Sequence, residues 1–141
     1  MADTPIASEG EIGEILEEKV ELPSEFDIIT EISDPITMHG LIQNKKHVVL
    51  LLIASYCGPS KKLIEDLPDL LGEIEKAEQE IYFGIMSIDL LPPAAIRFSV
   101  RDTPSYVFFK NGVEHNDLRF SGFNMAKLSE CCEDLLRLPD E

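Results

Sequence analysis

Basic residues, cysteines and long apolar runs are all scarce in this 141-residue chain, and each scarcity narrows what it can be. Acids outnumber bases 27 to 12, for a formal charge of −15. Nucleic-acid binding needs Lys and Arg to neutralise phosphates, so no nucleic acid is expected, and neutral or basic proteins are better company. The longest apolar run, residues 48–54, is far too short to cross a bilayer and suits a strand buried on both faces, so no membrane partner is expected. Three cysteines without framework spacing suggest a reducing compartment. The first 25 residues have no basic segment followed by an apolar one, and Glu9, Glu11, Glu14, Glu17, Glu18 and Glu21 oppose export, so the chain reads as cytoplasmic. His39, His47 and His115 show no metal-ligand spacing and read as surface or loop residues. No Gly-rich phosphate loop is found, so neither metal nor cofactor is expected.

What is there suffices for one domain with its own core. Residues 1–24 stand apart as an acid-rich extension closed by Leu22-Pro23-Ser24, in which Ile12, Ile15, Leu16 and Val20 have near-helical spacing. Residues 25–141 form the expected domain. A first strand is predicted over 26–32, followed by Ser33-Asp34-Pro35 as N-cap and first-turn proline of a helix ending near Asn44. The buried strand 48–54 comes next. A loop with Cys57 leads into a helix over 59–79, which Pro68 should bend or restart. A strand over 82–88, a short helix over 94–98 and a strand over 105–110 follow. Asn111-Gly112 is a hairpin turn signal, predicting an antiparallel return strand over 113–120 that Gly122 ends. A last helix over 125–138 places Leu128, Cys131, Cys132, Leu135 and Leu136 on one side, and the two adjacent cysteines read as small buried residues. This order implies an α/β fold with a central mixed sheet and helices on both faces.

Ser55-Tyr56-Cys57-Gly58-Pro59-Ser60-Lys61, after an apolar strand and opening a helix, resembles the thioredoxin pattern of aromatic-Cys-Gly-Pro-Cys-Lys. Thr103-Pro104-Ser105, the following Val107-Phe108-Phe109-Lys110-Asn111-Gly112, Ile88-Asp89 and Gly122 extend the likeness over residues 26–137. The resemblance implies a thioredoxin fold, a cis Pro104 facing Cys57, and a client-binding rim of Tyr56, Gly58, Pro59, Thr103 and Pro104. It also implies partners that are proteins bearing disulfides or reactive thiols.

The chemistry can be argued from the residues. A cysteine at a helix start lies near unpaired backbone N–H groups and the positive end of the helix dipole, which favour thiolate. A fall in pKa from about 8.5 to about 7 raises the thiolate fraction at neutral pH from a few per cent to roughly half. Lys61 adds a positive charge nearby. Ser60, however, stands where the dithiol family has its second cysteine, and a hydroxyl cannot form the disulfide that releases a client. Leu51 and Ile85 occupy the positions of the family's buried acid and its lysine partner. Two readings stay open. One is single-cysteine thiol–disulfide exchange or isomerisation at Cys57 and Ser60, with glutathione as an external thiol. The other is a non-redox interaction or regulatory module on the same scaffold, with Cys57 inert or an oxidation-sensitive switch.

Removing residues 1–24 should leave a cooperative domain of nearly unchanged stability, because the extension offers few large apolar groups. Urea unfolding of the two chains checks this. A loss above about 3 kcal/mol, the scale of a core truncation, would assign Ile12, Ile15 and Leu16 to the core.

Overall fold

The computed structural model describes residues 26–54 and 58–139. The extension over residues 1–24 lies outside them, as do Tyr56 and Cys57. The elements run β1 (Ile29–Glu31), α1 (Pro35–Asn44), β2 (His47–Ile53), α2 (Gly58–Lys76), β3 (Tyr82–Ser87), α3 (Pro92–Arg97), β4 (Ser105–Lys110), β5 (Val113–Glu114), a 3-10 turn (Asn116–Leu118), β6 (Phe120–Ser121) and α4 (Met125–Arg137).

Every residue of β2 is buried, which is why its sequence shows no polar alternation. Alternate side chains still go to opposite faces, as strand geometry requires. Val49, Leu51 and Ile53 join Leu63, Leu67 and Leu71 of α2 and Leu128 and Leu135 of α4 in one core. Val48, Leu50 and Leu52 join Met38 and Ile42 of α1, Ala94 of α3 and Phe98 just after it in a second. The strands line up as β1-β3-β2-β4-β5, with β6 also on β4. β1 and β2 run parallel to β3, whereas β4 runs antiparallel to β2. The expected mixed sheet with helices on both faces is what forms.

Local signals explain several boundaries. Asp34 caps α1, its carboxylate accepting from the Thr37 N–H at 2.7 Å and the Thr37 hydroxyl at 3.0 Å, with Pro35 at the first helical position. Asn111 and Gly112 take φ of 53° and 81°, the left-handed pair that a tight hairpin demands, and join β4 to β5.

Four expectations need correction. The first strand spans Ile29–Glu31 rather than 26–32: residues 26–28 form a bend and turn, although the Ile28 carbonyl still accepts from the Phe83 N–H at 2.7 Å and the Ile32 N–H donates to the Ile85 carbonyl at 2.8 Å. Of the two effects expected of Pro68, a bend or a restart, the restart does not occur: α2 runs through it as one helix. The return strand over 113–120 is broken after two residues. The chain turns at Asn116–Leu118 to drop Leu118 into the core, then rejoins β4 with Phe120 opposite Tyr106. His47 is no surface residue: it is buried at the start of β2, its Nδ1 3.0 Å from the Glu80 carbonyl oxygen.

Gly84 of β3 packs closely against Ile32, Leu41 of α1 and Leu50 of β2. A Cβ there would meet Ile32 Cδ1 and lie 2.9 Å from Leu41 Cδ2 and 3.1 Å from Leu50 Cδ2. Gly84→Ala should therefore lose about 1–3 kcal/mol, the usual range for overpacking a filled core, read as a lower urea midpoint with unchanged slope. An unchanged midpoint would mean that these side chains yield freely.

Candidate functional site

The site is built where β2 ends and α2 begins. Ala54 closes the strand and Gly58 and Pro59 open the helix, both exposed. Cys57 and Tyr56 lie outside the described residues, but their frame does not. Ser60 is buried in the first turn of α2, and its Oγ accepts a hydrogen bond from the Ala54 N–H at 3.3 Å. The strand end and helix start that flank Cys57 in sequence are thus joined through the Ser60 hydroxyl, at the position where the resemblance implies a second cysteine.

The β2–β4 register puts the other half of the site at the same end of the sheet. Leu52 pairs with Ser105, so Pro104 falls opposite the last residue of β2. Thr103–Pro104 is a cis peptide bond and Pro104 is buried. Ser105 Oγ donates to the Asp102 carbonyl at 2.5 Å. The Pro104 carbonyl accepts from the Gly122 N–H at 2.8 Å, and Gly122 has φ +95°, a conformation glycine adopts without strain. The structure thereby brings Gly58, Pro59, Ser60, Thr103 and Pro104 to one end of the sheet.

Two residues of this region escaped the sequence reading. Phe123, next to Gly122, is 37% exposed, and the Lys62 ammonium of α2 lies 6.0 Å from its ring centroid. The available signal was an aromatic residue after the loop glycine and a second lysine after Lys61. Their contact spans two elements far apart in sequence.

Beneath the site, Leu51 is the register partner of Ile85 on one side and of Tyr106 on the other. All three are fully or almost fully buried in the α2 and α4 core. The positions of an acid and a lysine are adjacent, as the resemblance implies, and both are apolar. The nearest polar atom of this row is the Tyr106 hydroxyl, which finds no hydrogen-bond partner among the described residues. Burial pushes that phenol well above its ordinary range, so it is neutral at physiological pH.

Cys131 and Cys132 are both buried on α4, as expected, and Cys131 Sγ lies 3.6 Å from the Leu118 carbonyl oxygen. Burial raises both thiols, with the neighbouring Cys131 and Glu133 adding to the effect at Cys132. Among the described residues no group of three His, Cys, Asp or Glu side chains is arranged to hold a metal ion.

Comparison with known proteins matches this geometry. The family model described as Thioredoxin matches residues 33–133. Thioredoxin H5 of Oryza sativa subsp. japonica is 31% identical over 101 residues, 72% of this chain and 70% of that protein. The thioredoxin of Buchnera aphidicola subsp. Baizongia pistaciae (strain Bp) is 31% identical over 83 residues, 59% of this chain and 73% of that one. The X-ray structure of Fasciola hepatica thioredoxin superposes with a TM-score of 0.66 at 31% identity, covering 74% of this chain and 97% of that chain.

The buried thiols and phenol give an alkaline limit to stability. Cys131, Cys132 and Tyr106 keep their protons in the folded chain above ordinary values of 9.0, 9.0 and 10.0, whereas an unfolded chain releases them there. The folded state then binds more protons, so stability is intact below pH 9 and falls as pH rises beyond it. Cys132 alone sets a limiting slope of about 1.4 kcal/mol per pH unit. Urea midpoints between pH 8 and 10.5 should fall, and Cys132→Ala should flatten that fall whatever its cost at pH 8. An equal slope in the variant would refute the assignment.

Proposed function

The chain belongs to the thioredoxin family, and we propose that it performs thiol–disulfide exchange with a single cysteine, Cys57, and no resolving thiol of its own. The observation that carries this reading is Ser60, a buried hydroxyl in the first turn of α2 that holds the Ala54 N–H. In the first step the Cys57 thiolate attacks one sulfur of a client disulfide. A new S–S bond joins Cys57 to the client, and the other client sulfur leaves as a thiolate. A dithiol site would next displace the client with its second sulfur, a step that oxygen cannot perform. The mixed disulfide therefore waits for an external thiolate. Attack by a second client thiol regenerates Cys57 and leaves a rearranged client disulfide, with no net change in oxidation. Attack by glutathione, followed by a second glutathione, releases reduced client and Cys57 with oxidised glutathione as the balancing product. Dependence on an outside thiol suits the reducing cytoplasm expected from the sequence.

The apolar pair Leu51 and Ile85 supports the same reading. A buried acid beside a lysine is costly to keep, and its proton-transfer task disappears when there is no second thiol to deprotonate. That pair also favours the second reading, an interaction module without redox chemistry, and one experiment separates the two.

With a model protein disulfide and no added thiol, the natural chain should stop as a stoichiometric mixed disulfide at Cys57, and glutathione should release it. Ser60→Cys should release reduced client without glutathione and end as an internal disulfide, more slowly than a dithiol enzyme because Leu51 and Ile85 offer no acid–base help. Mass spectrometry of non-reducing digests reads both products. No adduct at Cys57 in the natural chain would favour the interaction module. Release of reduced client by the natural chain would require another resolving cysteine, against the burial of Cys131 and Cys132.

A further inference from the structure

Five large apolar side chains are exposed among the described residues: Ile36, Leu90, Ile96, Val113 and Phe123. Phe123 is the one tied by contacts to the site. Its neighbour Gly122 donates to the Pro104 carbonyl at 2.8 Å, and Lys62 of α2 stands over its ring. An aromatic ring that follows the glycine bonded to the Thr103–Pro104 loop and faces Lys62 of α2 is a platform for whatever lies along that loop. Its electrostatics run against those of the molecule. The chain carries −15, and farther along α2 the exposed or half-exposed residues include Glu65, Asp66, Asp69, Glu73 and Glu75. Lys61 and Lys62, both exposed, put two positive charges in succession at the site end of that helix.

We propose that Phe123 and Lys62 select the client, favouring polypeptide segments that carry an apolar side chain and a carboxylate beside the reactive sulfur; the inference rests on the exchange reading above. Phe123 offers its exposed surface to the apolar group and excludes water around it. The Lys62 ammonium stands over the ring at 6.0 Å from its centroid, which makes that side unattractive to a client cation and leaves the ammonium free to meet a carboxylate. Repulsion by the rest of the surface slows the approach of acidic clients, so the preference is a short-range one, expressed in the bound state.

The test uses the full chain and four ten-residue peptides that differ only at two positions, Phe or Ala and Asp or Lys, next to a serine placed where the reactive cysteine would be. Without sulfur in the peptide, binding is read separately from exchange. In NMR titrations at physiological salt the Phe/Asp peptide should bind about three- to five-fold tighter than the Ala/Asp or Phe/Lys peptide, the scale of an exposed ion pair or ring contact. Phe123→Ala should erase the Phe preference, and Lys62→Glu should reverse the Asp-over-Lys preference. Lys76→Glu, at the far end of α2, should change neither. Equal affinities for all four peptides, or preferences that survive both site variants, would overturn the proposal. Reaction of Cys57 with bis(2-hydroxyethyl) disulfide, a small neutral probe, is followed in parallel. Its failure would count against the exchange reading alone, while the titrations decide the selector.

Discussion

Because every residue of β2 is shielded from water, both faces of that strand have to be covered, and this requirement organises the molecule. A strand with one wet face would need a single layer of helices; β2 needs two. Its odd-numbered apolar residues draw in α2 and α4, and its even-numbered ones draw in α1 and α3. β3 and β4 must then flank it, since an unpaired central strand would bury its own N–H and C=O groups without partners. The ends of these three strands fall together, and that coincidence creates the site. The Cys57 loop leaves the end of β2 where the Thr103–Pro104 loop enters β4.

The site differs from the dithiol pattern in a consistent way. Where the dithiol pattern has a second cysteine, an acid and a lysine, this chain has Ser60, Leu51 and Ile85, and on the exchange reading all three positions concern one task, the handling of a second thiol. Each replacement also satisfies its surroundings. The Ser60 oxygen accepts the Ala54 N–H, and Leu51 and Ile85 fill a row of the core with apolar surface where a charge pair would have to be desolvated. The Tyr106 hydroxyl, unpartnered in that same row among the described residues, is the remaining polar atom there. Neutral through the physiological range, it leaves the layer under the site without a charge.

Phe123 and Lys62 show how such a scaffold acquires selectivity without changing its core. Both lie on exposed surface, in a loop and in a helical turn, where substitutions leave the packing of β2 untouched. Their contact gives a strongly acidic molecule a local patch of the opposite character.

Several features were legible from short stretches of sequence, since the forces behind them act within a few residues. Pro35 starts α1, Asn111-Gly112 makes the hairpin, and β4 occupies residues 105–110 because turn chemistry and apolar runs operate locally. The identities of Cys57, Ser60, Leu51 and Ile85, and hence the argument for one reactive sulfur, also belong to the sequence alone. Other features depend on what lies across the sheet. The break of the return strand after Glu114 follows from the room for Leu118 in the core, and the burial of His47 from the approach of Glu80. The Leu51, Ile85 and Tyr106 row follows from register, and the Phe123–Lys62 contact from the meeting of a loop with a helix. Sequence spacing does not carry these relations. A side chain's partners across a sheet are set by how strands align, and that alignment was decided by burying both faces of β2.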